Sequence, residues 1–364
     1  MFRLTRTLNR LKKVSVLHNN VREQSVMTQK LMYTEYGDPM KVLRKHNEEI
    51  NDNVKPDEVL VRMLAAPINP ADINTIEGKY PSKPVLPAIG GGEGVAEVID
   101  VGCEVRNFAV GDRIVPLKPG MGTWRTHAAL SHNFVYKVPK NLGIVEAATL
   151  TVNPCTAYRM LRDFTSLKPG DCVIQNGANS ACGQYVIQIC RVWGLSTVNI
   201  VRDRENVDEL KRSLLDLGGT HVVTESELRK TNLFKSKECP WPKLGLNCVG
   251  GQSALELMRN LAPGGTMVTY GGMSKEPVTV PTSALIFKDI KAVGFWMTRW
   301  TNEHFDSEDR SEMLEELVTM MTKGEIHGPA FQMVNFKEYE RALSTIIGGG
   351  GKLGKKIILG FDSC

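Results

Sequence analysis

The sequence predicts an α/β protein in which a doubly wound parallel sheet is inserted into a second, mainly-β unit. Three observations carry this reading. From Lys30 to about Leu150, short runs rich in Val, Leu and Ile are separated by Gly and Pro turns. From about Asp171 onward, short apolar runs alternate with helical periodicity, the pattern of a parallel sheet covered on both faces. Between the first of those runs and the first of those helices lies a turn of small residues. A chain of 364 residues is long enough for two domains, each with its own core.

In the first unit the strand candidates are residues 58–64, 94–101 and 113–117. In the second, residues 172–175 read as a short buried strand. Cys182, Tyr185, Val186, Ile189, Cys190 and Trp193 then recur at i, i+3, i+4, i+7, i+8 and i+11, one helix face, which Gly194 ends. Residues 197–201 read as the next strand and 208–217 as the next helix, closed by Gly218 and Gly219. Strands at 244–249, 266–270 and 293–297, with helical stretches near 255–261 and 282–287, continue the alternation. Helices at 313–322 and 339–347 and a last strand at 356–359 follow.

Charge excludes one class of partner. The formal balance is +5, but Arg3, Arg6, Arg10, Lys12, Lys13 and Arg22 precede the first acid, Glu23, and the rest of the chain is close to neutral. A basic face for nucleic acid is therefore not expected. Leu4, Leu8 and Leu11 share a helix face among those arginines, so residues 1–26 read as a mitochondrial transit peptide, with a basic tail as the alternative. No apolar run approaches the ~18 residues that span a bilayer. Eight scattered cysteines without a C-x-x-C pair fit neither a disulfide framework nor a structural zinc site, and read as buried thiols in a reducing compartment.

The turn after the first strand of the second unit reads Asn176-Gly177-Ala178-Asn179-Ser180-Ala181-Cys182-Gly183. Such a turn brings backbone N–H groups and a helix N-terminus to a dinucleotide pyrophosphate. An NAD site would place an acid about 20 residues beyond the last glycine. Arg202 stands there, followed by Asp203 and Arg204. A guanidinium offers a planar fork to a 2′-phosphate, which favours NADPH, while Asp203 keeps NAD open.

Longer matches carry a resemblance. Leu64-Ala65-Ala66-Pro67-Ile68-Asn69-Pro70-Ala71-Asp72-Ile73-Asn74, Gly78-Lys79-Tyr80, Asn153-Pro154-Cys155-Thr156-Ala157-Tyr158, the phosphate turn and Gly294-Phe295-Trp296 are similar to the mitochondrial 2-enoyl thioester reductases of fatty-acid synthesis. These belong to the medium-chain dehydrogenase/reductase superfamily. The resemblance implies a GroES-like catalytic domain (27–155 and 300–364) with a Rossmann domain (156–299) inserted in it. Where zinc-dependent members carry metal ligands, this chain has Asn69, Gly92 and approximately Val152, so no metal is expected.

The resemblance further implies reduction of a trans-2-enoyl thioester on acyl carrier protein or CoA. Hydride from NADPH would reach the β-carbon and a proton the α-carbon, with Tyr80 as donor, because a phenol carries its proton at neutral pH. It places Asn153 near the nicotinamide, with helix capping as its other role, and lines the pyrophosphate turn with backbone groups of Asn179, Ser180, Ala181 and Cys182. It brings Tyr270, Gly271, Gly272 and Met273 to the cofactor at a strand's carboxyl end, and adds Phe295, Trp296, Met297, Thr298 and Lys355. It also implies a homodimer in the mitochondrial matrix. A quinone or enal reductase of the same superfamily and a non-catalytic NADPH-binding paralogue are the alternatives.

Overall fold

The protein is described by a computed structural model covering residues 25–51, 54–349 and 354–361, and the statements below concern those residues. The expected transit peptide lies outside them except for its last two positions. The first unit runs β1 (Ser25–Tyr33), α1 (Pro39–Val42), β2 (Arg44–Asn51), β3 (Glu58–Pro67), α2 (Pro70–Ile76), β4 (Ala88–Ile89), β5 (Val95–Val101), β6 (Arg113–Pro116), β7 (His127–Ser131), β8 (Val135–Val138) and α3 (Ile144–Ala148). β1 pairs antiparallel with β2 on one side and β4 on the other.

The second unit runs α4 (Asn153–Asp163), β9 (Cys172–Asn176), α5 (Ala181–Val192), β10 (Ser196–Val201), α6 (Val207–Asp216), β11 (His221–Thr224), α7 (Glu225–Leu228), β12 (Leu244–Asn247), α8 (Gly251–Arg259), β13 (Thr266–Thr269), α9 (Thr282–Lys288) and β14 (Lys291–Gly294). Its strands are all parallel, in the order β11-β10-β9-β12-β13-β14. All five residues of β9 are buried, as expected of a central parallel strand covered on both faces. The chain then adds α10 (Met297–Glu303), α11 (Glu308–Thr322), β15 (Phe331–Asn335), α12 (Tyr339–Gly349) and β16 (Lys356–Gly360). β15 and β16 join the first unit in the order β15-β16-β3-β5-β6-β8, with β7 also on β3.

The expected strand at 293–297 is corrected. β14 pairs residue by residue with β13 from Lys291↔Thr266 to Gly294↔Thr269, so the ladder ends where β13 ends. Phe295 and Met297 stay apolar because they are buried in the core, and Met297 opens a helix. Among the remaining elements, boundaries moved by a few residues, and α2, α3 and α7 are too short to show a period in the sequence.

One apolar cluster joins the two sheets. It runs from Ala65 and Val95 through α3, α4 and α5 to Leu317 and Met321 of α11 and Ile358 of β16. The phosphate turn and the loops of the first unit are thus held against one another across a cleft.

Candidate functional site

The phosphate turn is built by close packing. Gly177 has φ +60, and a Cβ there would come within 2.5 Å of the Cys248 sulfur. A Cβ on Gly183 would meet the Ala178 carbonyl oxygen at 2.6 Å, so only glycine lets the helix approach the strand this closely. Ser180 caps α5 by accepting the Gly183 N–H at 3.1 Å. Behind the turn, Asn176 Nδ2 donates to Asn247 Oδ1 at 2.8 Å, and Asn176 Oδ1 accepts the Cys248 N–H at 2.8 Å. That buried amide pair ties the ends of β9 and β12. The segment after β13 is drawn back over the same edge by Met273 N–H to Cys248 O, 3.0 Å, and Ser274 N–H to Val249 O, 2.9 Å.

These ends line one cleft of about 1500 Å³ that continues between the sheets to the first unit. Tyr80, Asn153, Asn179, Ser180, Ala181, Cys182, Arg202, Tyr270, Gly271, Gly272, Met273, Phe295, Trp296, Met297, Thr298 and Lys355 all line it. Asp203 and Arg204 do not. The Asp203 carboxylate instead accepts from the hydroxyl and backbone N–H of Ser226, at 2.5 and 3.2 Å, which turns it toward α7. Its bonds to Ser226 hold its pKa below the usual carboxylate value. Phe295 and Met297 touch the cleft but are only 9% exposed, and Phe295 meets Phe164 edge to face.

The residues fit a dinucleotide. Asn153 is the first residue of α4 and not its cap; its amide nitrogen is buried without a hydrogen-bond partner, a donor awaiting an acceptor. A Cβ on Gly272 would meet nothing within 4 Å, leaving backbone open to the cleft. Arg202, exposed at the end of β10, presents the charge suited to a 2′-phosphate.

Tyr80 is set by its turn. Gly78 has φ +72 beneath the Tyr36 ring, and the N–H groups of Lys79 and Tyr80 both donate to Asn74 O, at 2.9 and 3.1 Å. Across the cleft, Trp296 Nε1 donates to Tyr80 Oη at 2.7 Å, and the rings meet edge to face at 5.7 Å. The phenol oxygen thus accepts one hydrogen bond, which leaves its own hydrogen as a donor on the cleft side of the ring pair. An N–H directed at that oxygen also stabilises the charge left when the hydrogen departs.

Deeper in the wall is a polar cluster that sequence reasoning missed as a unit. Lys356 Nζ donates to Asn69 Oδ1, and Asn69 Nδ2 donates to Glu93 Oε1 at 2.7 Å. Asp72 Oδ2 accepts the Asn69 N–H at 2.8 Å. All four residues are buried. Burial pushes Glu93 up to about 7 and Asp72 up to about 6, against the pull of the Lys356 charge. Burial likewise lowers Lys356, opposed by the two carboxyls. The resemblance pointed to Lys355, which is exposed at the cleft; its neighbour Lys356 is the buried member. Of the positions compared with zinc ligands above, Asn69 belongs to this cluster and Gly92 directly precedes its Glu93, while Val152 is not among its four residues. Zinc takes carboxylate as well as thiolate and imidazole, but the amide and the ammonium do not ligate it and burial favours the neutral form of both carboxyls, so the cluster does not fit a zinc ion. Cys155 is buried nearby, donates to Leu150 O at 3.2 Å and is pushed up to about 12; burial also raises Cys182 and Cys190, so these thiols are inert as nucleophiles.

Comparison with known proteins agrees with this construction. Residues 55–140 match the family described as alcohol dehydrogenase GroES-like domain, and residues 181–319 the one described as zinc-binding dehydrogenase. The mitochondrial enoyl-[acyl-carrier-protein] reductase of Rattus norvegicus is 50% identical over 318 residues, 86% of this chain and 84% of that one. The protein of the same name from Xenopus tropicalis is 48% identical over 324 residues, 88% of this chain and 92% of that one. The solved complex of Etr1p with NADP and crotonyl-CoA superposes with a TM-score of 0.86 at 35% identity, covering 92% of this chain and all of that one. The chain belongs to the mitochondrial enoyl-[acyl-carrier-protein] reductase family of the medium-chain dehydrogenase/reductase superfamily.

Proposed function

We propose that this protein is the NADPH-dependent reductase that saturates trans-2-enoyl thioesters in mitochondrial fatty-acid synthesis, with Tyr80 as the proton donor. The family shown by the comparisons supports the reaction, the cofactor and the compartment; the hydrogen bond from Trp296 Nε1 to Tyr80 Oη supports the residue assignment. When bound, NADPH supplies the hydride that adds to the β-carbon. The phosphate turn and Arg202 hold its phosphates, and Asn153 Nδ2 donates to the nicotinamide half. An enoyl thioester is polarised by its own carbonyl, so the charge that develops on the acyl group needs hydrogen-bond donors rather than a metal. The Tyr80 hydroxyl meets that need and then delivers its proton to the α-carbon, while Trp296 Nε1–H steadies the phenolate until it is reprotonated.

Residues 27–155 and 300–364 form the catalytic domain in this reading and 156–299 the cofactor domain, with the cleft between them. Lys83, Lys118, Lys275 and Lys355 stand exposed at its mouth, with Glu77 and Glu276 among them. A mouth with that many lysines suits an anionic acyl carrier, whether carrier protein or CoA. The open outer edge of β14 suits a second copy of the chain in a homodimer.

Tyr80→Phe tests the assignment. Loss of a positioned general acid lowers turnover by roughly 10²–10⁴-fold. Crotonyl-CoA reduction is expected to fall by that order while NADPH still quenches protein fluorescence at the wild-type dissociation constant. Unchanged crotonyl-CoA turnover would remove Tyr80 from the reaction, and faster reduction of a quinone than of any enoyl thioester by the wild type would remove the substrate class.

A further inference from the structure

We propose that Cys172 and Cys239 are a built-in disulfide-forming pair, closed by a hydroperoxide. The two sulfurs lie 3.3 Å apart, with Cys239 Sγ donating to Cys172 Sγ, and both residues are buried. A disulfide needs about 2.05 Å, so closing the bond asks for side-chain rotation and a small shift of one segment. The other buried thiols that donate hydrogen bonds, Cys155 and Cys248, send them to backbone carbonyls.

The surroundings allow that shift on one side only. Cys172 opens β9 and is held between β10 and the approach to β12: Thr197 pairs with Val173, and Lys243 N–H donates to Cys172 O at 3.1 Å. Cys239 sits in the stretch 229–243, turns and bends between α7 and β12 with no strand or helix of its own. Lys237 in that stretch has φ +64, an uncommon conformation for a side-chain-bearing residue. The Phe234 ring, stacked on Trp241 at 5.1 Å, packs with the sulfurs in one apolar cluster. A stretch with few backbone hydrogen bonds opens at lower cost than the sheet beneath it, and its opening admits a small oxidant.

The order of the steps follows from which thiol the opening exposes. With the Cys172 sulfur beside it at 3.3 Å, Cys239, on the stretch that opens, meets the oxidant first and reacts as the thiolate. Its thiolate attacks one oxygen of hydrogen peroxide; the O–O bond breaks, hydroxide leaves and takes a proton to become water, and Cys239 becomes a sulfenic acid. Cys172 sulfur then attacks the Cys239 sulfur. The S–O bond breaks, and the departing hydroxide takes the Cys172 thiol proton to leave as a second water. Two thiols lose two electrons and the peroxide gains them. The bond closes a 67-residue loop around β9–β11, at the end of β9 remote from the phosphate turn.

The full chain, fully reduced, is treated with hydrogen peroxide, denatured in N-ethylmaleimide and digested without reductant. The expected result is a cross-linked peptide joining Cys172 to Cys239, two hydrogens lighter than the sum of its parts, in the majority of chains. The thermal midpoint is expected to rise by several degrees, since a cross-link narrows the unfolded ensemble. Dithiothreitol reverses both, and Cys239→Ala and Cys172→Ala each abolish both. Recovery of Cys172 and Cys239 as maleimide adducts at a peroxide dose that has oxidised the exposed Cys103 overturns the proposal, as does a disulfide from either residue to any other cysteine. The peptide map of the unmutated protein decides this even if a variant fails to fold.

Discussion

Lys356 places a buried ammonium in the cleft wall, and its neighbours explain how it is tolerated. Asn69 accepts from it directly, and the Glu93 and Asp72 carboxyls favour its charged form. Tyr33, Cys155, Cys182 and Tyr185, thiols and phenols kept protonated by burial, stand among the other titratable groups around them. Such a cluster leaves a signature in stability against pH. Glu93 has its folded-state pKa raised from 4.5 to about 7, so the proton it binds stabilises the fold fully below pH 4.5. That contribution is lost as pH rises through 7, an effect of at most about 3 kcal/mol. Asp72, raised from 3.8 to about 6, acts with the same sign over a lower window. Glu93→Gln removes the larger share of this dependence. Urea unfolding between pH 5 and 8 should therefore show wild type losing stability relative to Glu93→Gln as pH rises. A difference between the two that is constant across that range would mean that Glu93 stays ionised in the fold.

The strand–turn–helix built from β9, the phosphate turn and α5 was legible because all its causes are local. Small residues at 177, 178 and 180, a glycine at 183 and an apolar face ending at Gly194 each have one structural meaning in that order. The cluster around Lys356 was not legible, because its members come from α2, the segment after β4 and β16, brought together only by strand pairing. β16 pairs with β15 and β3 and has its first four residues buried, so no alternation marks which of Lys355 and Lys356 turns inward. Asp203 shows the same limit at a strand's end: the residue count allowed it a ribose, but Ser226 of α7 takes its carboxylate. That leaves Arg202 as the residue of the three at the cleft, and a charge-assisted pair with a phosphate contributes about 1.5–3 kcal/mol. Arg202→Ser should weaken NADPH binding by roughly 10–100-fold and leave NADH binding unchanged, measured by fluorescence titration with each cofactor. Equal losses for the two would move the 2′-phosphate away from Arg202.

Two sheets sharing one apolar cluster explain why the cleft lies where it does, and the far edge of the second sheet raises a separate question. The parallel ladder ends at β14, whose four residues are all exposed. Just before it, α9 shows Leu285, Ile286 and Phe287 at 49, 67 and 81% exposure, and Val293 of the strand itself is 38% exposed. An unpaired strand edge beside large apolar side chains is a liability for a monomer and a ready surface for self-association. A second copy related by a two-fold axis would pair the two β14 edges and cover both α9 faces in one closed contact. The protein should therefore run as two chains by light scattering at micromolar concentration. Phe287→Asp combined with Val293→Lys, which sets charge on both elements of the contact, should shift it to one chain of 40.3 kDa with crotonyl-CoA turnover still measurable, because the cleft is lined by neither residue. A double variant that still elutes as two chains would place the contact on another face.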